Sequence, residues 1–392
     1  MRIALFTEWF LPRLGGIELQ VRDLALQLKA RGHDVEVITP VGGPAKVEGL
    51  TVRRLGAPRL PGAGIVFTAG AFRRIRDALA EGDYDVAHVH FGIISPAAYG
   101  ATRAAQQLGI PTVATFHSVL THFGVPLSLV RRALGAGTWK VHWSAVSSVV
   151  AASMRPLVGD SPVTVVPNGV DLSYWGQSRQ FSDPSGWGQS RQPPDQGRNG
   201  RPRSEQRLRA VAVMRLHRRK RPALLLDAVA SAHGRVLLEI IGDGPQMPSM
   251  RRAVTRRGLG DVVTLHGWMP RERVRETLRG ADVFLLPSRL EAFGIAALEA
   301  RAAGVPVIAM AAAGVRDFLT DGADALLATD DAHFTRLLES VAGDPSRLAR
   351  LSHRCQSPPA GADWSEVAGR MEAIYHRLAG DARLSPVPPA PT

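Results

Sequence analysis

Short apolar runs, each closed by a polar or glycine-bearing loop and followed by a stretch with helical spacing, recur along the whole chain. In the first half the runs fall at 3–6, 35–39, 85–90, 111–117 and 163–166. In the second half they fall at 208–213, 236–241, 262–268, 282–286 and 306–309. Runs this short, bounded by turn residues, read as strands buried on both faces of a parallel sheet. Between the first two lies a helix over 18–30, with Leu19, Leu24, Leu26 and Leu28 partly in helical register and Gly32 at its C-terminal stop. Residues 296–303 and 364–378 read as further helices. Strand and helix alternate twice over, which predicts two doubly wound α/β domains with a cleft between them. The predicted domains are 1–171 and 207–363.

Between them, residues 172–206 change composition to Gln, Ser, Arg, Gly and Pro with scattered Trp. Trp175-Gly176-Gln177-Ser178-Arg179-Gln180 recurs as Trp187-Gly188-Gln189-Ser190-Arg191-Gln192. Too little aliphatic surface is present to offset ordering entropy, so a mobile, low-complexity interdomain insert is expected. Residues 379–392 read as a Pro-rich, frayed tail.

A length of 392 residues suits two domains, and 45% hydrophobic content supplies two cores. The single cysteine, Cys355, forms no internal disulfide, which fits a reducing compartment. The start of the chain is a strand rather than a secretory segment, and no apolar run approaches the roughly 18 residues of a membrane span. Cytoplasmic placement is expected, with peripheral attachment to the inner face of the plasma membrane left open. The net charge of +13 favours anionic partners, whether nucleotide, nucleic acid or anionic lipid.

The densest chemistry lies between Pro287 and Glu299. Gly294 sits at a loop–helix junction, where the unpaired N–H groups and positive dipole end of a helix seat a phosphate. Glu291 and Glu299 are hydroxyl acceptors on either side. Phosphate-seating amides between two such carboxylates suggest a nucleotide sugar. A second loop, Met214 to Pro222, crowds Arg215, His217, Arg218, Arg219, Lys220 and Arg221 together, a set that repels itself without an anion. His117 closes a strand, the end at which open parallel sheets bind ligands. Gly15-Gly16 follows the first strand but lacks the Gly-x-Gly-x-x-Gly dinucleotide fingerprint, so no nicotinamide cofactor is expected. Asp83-Tyr84-Asp85 precedes its strand, the wrong end for a metal site, and no metal or other cofactor is expected.

The stretch Pro-Ser-x-x-Glu-x-Phe-Gly-x-x-x-x-Glu-Ala-x-Ala-x-Gly-x-Pro-Val, from Pro287 to Val307, resembles the signature of retaining family 4 glycosyltransferases, whose fold is GT-B. Trp9-Phe10-Leu11-Pro12 with Gly15-Gly16-Ile17-Glu18 is similar to the first loop of that family, and Met214 to Arg221 to its Gly-Arg-Leu-x-x-x-Lys-Gly loop. The resemblance implies two Rossmann-like domains facing across a cleft, the last helix crossing back onto the first. It implies that Arg215 and Lys220 grip the donor diphosphate, with the turn Phe293-Gly294-Ile295 binding the donor alongside. Glu299 would hold the ribose and Glu291 the sugar. Gly16 would allow close backbone approach to phosphate, and His117 would lie near the transferred sugar, either as a neutral acceptor or as a cation paired with phosphate. Met214 and Arg221 stand where the family has glycine, and residues 172–206 exceed the usual link.

The implied activity is transfer of a hexose-type sugar from a UDP- or GDP-linked donor to a lipid or glycan acceptor. The first domain further resembles phosphatidylinositol mannosyltransferases. Between His117 and Trp143, the residues Leu120, Phe123, Val125, Leu127, Leu129, Val130, Leu134 and Trp139, with Arg131, Arg132 and Lys140, could form a basic amphipathic helix on an anionic membrane surface or could face the core. A nucleotide-sugar epimerase of the same fold and a basic nucleic-acid-binding protein are the alternatives, although no nucleic-acid motif is present and nucleic acid is not an expected partner.

Overall fold

The computed structural model describes residues 1–13, 15–56, 68–120, 129, 131–132, 135, 138–176 and 207–384. It divides into two compact units, Met1–Gly169 with Gly361–Thr392, and Val170–Ala360. Each is an α/β unit built on its own sheet.

Among the described residues the first unit carries eight strands: β1 (Arg2–Thr7), β2 (Asp34–Thr39), β3 (Lys46–Val47), β4 (Leu50–Arg54), β5 (Val86–Phe91), β6 (Thr112–Phe116), β7 (Val141–Ala145) and β8 (Val163–Val165). Their order is β3-β4-β2-β1-β5-β6-β7-β8. Only the β3–β4 pair is antiparallel. Every residue of β5 and β6 is buried, as strands covered by helices on both faces must be. The helix Gly16–Ala30 and the final helix Trp364–Leu384 share one core, in which Leu24 and Leu28 meet Trp364, Met371, Ile374 and Tyr375 beside Ile3 and Leu5. The Gln20 carboxamide exchanges two hydrogen bonds with the Gly169 backbone, both 3.0 Å. A Cβ on Gly169 would lie 2.3 Å from the Trp364 ring, so the end of the first stretch of chain is seated directly on the returning helix.

Two sequence expectations need correction. The final helix does not stop at residue 378 but runs to Leu384. Ala379 is still buried, and the first residue unable to continue a helix is Pro386, which also disfavours helical backbone just before it. The low-complexity stretch does not begin at 172, because Leu172–Gly176 is a short helix of the second unit with Trp175 fully buried. The Arg271 guanidinium lies 5.1 Å from the Tyr174 ring and 5.2 Å from the Trp175 ring, and Arg275 lies 4.5 Å from Tyr174. Two large aromatic faces supply what the rest of that stretch lacks. Residues 177–206, including the second copy of the repeat, lie outside the described residues. So do Phe123, Val125, Leu127, Val130 and Leu134 of the amphipathic run, whereas Leu120 is buried and Leu129 is exposed. Among the described residues no helix is long and apolar enough to cross a membrane.

Among the described residues the second unit has six strands, all parallel: β9 (Leu208–Val213), β10 (Val236–Ile241), β11 (Val263–Gly267), β12 (Val283–Leu286), β13 (Val307–Met310) and β14 (Ala325–Ala328). Their order, β11-β10-β9-β12-β13-β14, is the doubly wound arrangement, and its topological switch point falls between β9 and β12. The loop after β9 lies against the loop after β10. Met214 N donates to Ile241 O at 3.0 Å and Leu216 N to Asp243 O at 2.9 Å. The approach leaves no room for a side chain: a Cβ on Gly242 (φ +127°) would sit 1.9 Å from the Met214 carbonyl oxygen.

Gly242→Ala is therefore expected to destabilise the protein by about 1–3 kcal/mol, because backbone rather than a yielding side chain is in the way. Gly260→Ala, at a position where a Cβ meets nothing within 4 Å, should change stability by less than about 0.5 kcal/mol. Urea unfolding of the two variants side by side checks this, and equal midpoints would refute the close approach.

Candidate functional site

The switch point of the second unit brings together two loops far apart in sequence. After β9 the chain passes Arg215 and makes one tight turn, Arg218–Lys220, started by the His217 ring accepting from Arg219 N at 3.3 Å. Arg221 then takes left-handed backbone angles (φ +56°, ψ 45°) and leads into the helix Pro222–Ser231 with proline at its first position. This is the conformation glycine adopts most readily, which explains the glycine of the family pattern at this position. Arg221 adopts it with its side chain tied down: Nη1 donates to Pro287 O at 3.3 Å, and Nη2 pairs with the Asp331 carboxylate. The Ser288 hydroxyl, fully buried, donates to Lys220 O at 3.4 Å. Both contacts lock the loop after β9 to the loop after β12.

The functional consequence is a close ion pair. Lys220 Nζ lies 2.6 Å from Glu291 Oε2, the two side chains being 32% and 12% exposed. Arg215, two residues beyond the end of β9 on the same loop as Lys220, is exposed. Past Glu291 the chain turns at Gly294 (φ +94°), where a Cβ would lie 2.6 Å from Val315 Cγ1. Gly314 N donates to Glu291 O at 2.9 Å and fixes that turn. The helix Ile295–Ala302 starts here with no side-chain cap, so its first-turn N–H groups face the loop. Phe293 is buried against Phe318, ring centroids 5.0 Å apart, so only its backbone can face a ligand. Ile295 is half-buried. Glu299, one turn into the helix, lies 3.6 Å from Arg271 Nη2. Arg271 and Asp331 carry no motif signal and were missed by sequence reasoning.

In the first unit, Gly16 is exposed at the start of its helix, after Gly15 in extended conformation (φ −173°). Glu18 folds back under Gly15 and lies 3.4 Å from Arg13 Nε. The candidate anion seat there is already faced by the chain's own carboxylate. His117, at the carboxyl end of β6, belongs to a chain of imidazoles. His117 Nε2 is 2.9 Å from His90 Nδ1, and the His90 and His88 rings lie 4.0 Å apart. His88 in turn contacts the Tyr375 hydroxyl at 2.6 Å through Nδ1 and Thr115 Oγ1 at 2.7 Å through Nε2. Burial pushes His117 down to about 4, against a hydrogen bond to Asn168 that raises it. Burial likewise holds His88 and His90 well below the ordinary range. His117 is thus neutral near pH 7 in the ligand-free protein. His88 and His90 were read only as the polar members of a strand; two histidines at i and i+2 share one face of it and were the available signal. The Asp83-Tyr84-Asp85 turn is engaged elsewhere: Asp85 Oδ2 accepts from Arg2 N at 2.8 Å, and Tyr84 donates to the Glu36 carboxylate.

Comparison with known proteins agrees with this layout. Residues 14–174 match the Glycosyltransferase Family 4 model, and residues 195–356 match Glycosyl transferases group 1. A D-inositol 3-phosphate glycosyltransferase of Xylanimonas cellulosilytica is 28% identical, over 92% of this chain and 91% of that protein. A phosphatidyl-myo-inositol mannosyltransferase of Mycolicibacterium smegmatis is 27% identical, over 97% of this chain and 95% of that protein. Among solved structures, Anabaena HepE in complex with UDP and glucose superposes with a TM-score of 0.73 at 17% identity, over 95% of this chain and 99% of that one. Sucrose-phosphate synthase from Thermosynechococcus elongatus gives a TM-score of 0.73 at 21% identity, over 97% and 99%. These structures share the GT-B fold.

The buried histidines make stability depend on pH with a definite sign. Unfolded imidazoles titrate near about 6.5, whereas His117 titrates at about 4 when folded. In that window the unfolded chain binds more protons, so stability rises with pH; it is fully present above about 6.5 and lost as pH falls towards about 4. Asp331 and Glu372, held low by hydrogen bonds from Arg221 and His33 respectively, act only below that window, from about 4 downwards. The urea midpoint should fall steadily from pH 7 to pH 5, and a flat profile would contradict neutral burial of these rings.

Proposed function

The chain belongs to the family 4 glycosyltransferases, and we propose that it moves a hexose-type sugar from a UDP- or GDP-linked donor to an acceptor bearing a phosphorylated inositol ring, with retention at the anomeric carbon. The observation that carries this reading is the Lys220–Glu291 pair at 2.6 Å at the switch point of the second unit, with Arg215 on the loop of Lys220 and the Gly294 turn on the loop of Glu291. Cations, free amide donors and a carboxylate within reach of one another suit a ligand that joins a diphosphate to a polyhydroxylated ring.

The leaving diphosphate gains charge as the glycosidic bond breaks. Arg215 and Lys220, with the amides at Gly294 and Ile295, would stabilise that charge where it develops. Arg215 offers a fork to two phosphate oxygens and Lys220 a point charge. The diphosphate competes with Glu291 for Lys220, and a displaced Glu291 becomes free to accept from sugar hydroxyls. Glu299 accepts from the ribose. The first unit takes the acceptor and faces the donor with Gly16, for close approach of backbone to phosphate, and His117, near the transferred sugar; the reaction proceeds on one face of the sugar without a covalent carboxylate intermediate. These cations act in place of a metal. The inositol acceptor rests on the names of the relatives, and a phosphatidyl form of it on the mannosyltransferase among them. The exposed Leu129 with Arg131 and Arg132 provides a basic, apolar edge for the inner face of a membrane.

The test is a matrix of UDP-, GDP- and ADP-sugars against soluble inositol phosphate and phosphatidylinositol vesicles, with products identified by mass. An inositol phosphate glycoside from either acceptor supports the reading; turnover only on unrelated acceptors sinks the inositol assignment. Glu291→Gln and Glu299→Gln should each lower turnover at least about tenfold, about 1.4 kcal/mol of barrier, with little change in stability. Lys220→Ala should weaken nucleoside diphosphate binding more than acceptor binding. Activity should survive EDTA, and its abolition with rescue by manganese would show the charge stabilisation to be wrongly assigned.

A further inference from the structure

Two neutral imidazoles 2.9 Å apart, His90 Nδ1 and His117 Nε2, share one proton, and the surroundings decide which ring carries it. If His117 donated from Nε2, His90 would carry its own proton on Nε2. That nitrogen is buried and has no hydrogen-bond partner among the described residues. A buried N–H with no acceptor is the costlier orphan, whereas an imidazole lone pair without a donor is better tolerated. The proton therefore lies on His90 Nδ1, and His117 Nε2 accepts it. The other nitrogen of His117, Nδ1, then carries a hydrogen.

We infer that His90 is a positioning residue for His117: by donating from Nδ1 it fixes the His117 tautomer, so that His117 offers a neutral N–H from Nδ1 rather than a lone pair. This reverses the sequence expectation that a neutral His117 accepts from a sugar hydroxyl. A ligand atom at His117 is then an acceptor, such as a ring, bridging or phosphate oxygen, that takes the hydrogen of Nδ1. His90 has no freedom to rotate out of this role. Its ring lies 4.0 Å from that of His88, inclined to it by 37°, and His88 is clamped on both nitrogens by Tyr375 of the final helix and Thr115 of β6. The titratable groups around the pair are His88 on β5, His142 on β7 and Tyr375. Burial holds His88 and His142 low and Tyr375 high, so none of the three brings charge near pH 7.

The consequence for transfer rests on the proposed role of His117, so the test separates the two. Long-range proton–nitrogen spectra of histidine-labelled protein at pH 7 report the tautomer of His117 without any substrate. The expected result is a protonated Nδ1 and an unprotonated Nε2; a protonated Nε2 overturns the inference. The His90→Asn variant places an amide donor near the old Nδ1 and should keep the His117 signature and most turnover. His90→Leu removes the donor and should mix the tautomers and lower kcat by about fivefold with little change in donor KM. Should the leucine variant fail to fold, the wild-type spectrum and the asparagine variant still decide, since a mixed His117 tautomer in His90→Asn counts against the inference. Unchanged turnover in His117→Ala would remove the catalytic reading of His117 and leave the tautomer result standing on its own.

Discussion

Parallel pairing of β9 with β12 is the constraint on which the second unit depends. Parallel strands cannot be joined by tight hairpins; each crossover must run back along the sheet, so every strand ends at the same edge. The pairing of Ala210 with Val283 and of Val211 with Phe284 therefore fixes where the loops after both strands begin. Because β9 has β10 on one side and β12 on the other, three loops meet at that edge. A lysine and a glutamate 71 positions apart in sequence become an ion pair for this reason. Neither residue has any local reason to find the other.

Local devices then hold the meeting point to a narrow geometry. Gly242 and Gly244 let two backbones touch, Ser288 reaches under Lys220, and the Arg221 side chain closes onto Pro287 and Asp331. The arginine is instructive. Left-handed backbone is unfavourable for any residue with a side chain, so a glycine would be the cheaper choice. Here the side chain offsets part of that strain by bonding to the loop it must align. Arg221, which departs from the family pattern, is thus built into the site by bridging to the neighbouring loop.

The first unit is organised differently. Its switch point lies between β1 and β5, and what sits beside it is a row of buried imidazoles rather than a set of charges. Burial keeps the row neutral, and a tyrosine from the last helix closes it. The chain thus leaves the unit at Gly169, builds the second unit, and returns to complete the core beneath His88. Loss of that helix would remove both apolar surface and the hydroxyl that fixes the inner histidine.

Much of this was legible in the sequence, because the signals involved are local. Strands such as Leu208–Val213 and Val236–Ile241 announce themselves by short β-branched and aliphatic runs, each broken by a single charged residue, and Gly294 by its place between a strand and a helix. The twofold alternation was enough for the fold class, and the motifs around Glu291 and Lys220 were enough for the family. The misses have a common cause. Leu172–Gly176 looked like low-complexity chain because the arginines that cover Tyr174 and Trp175 come roughly a hundred positions later (from Arg271 onward). His90 looked like the polar half of an alternating strand because the second sheet face it needs is supplied by helices distant in sequence. The acceptor-or-donor character of His117 was open for the same reason. Composition and spacing determine which groups a chain owns and which short elements they ride on. Which nitrogen carries a proton, which lysine meets which glutamate and how far the final helix runs are settled only by burial and pairing across sequence-distant segments.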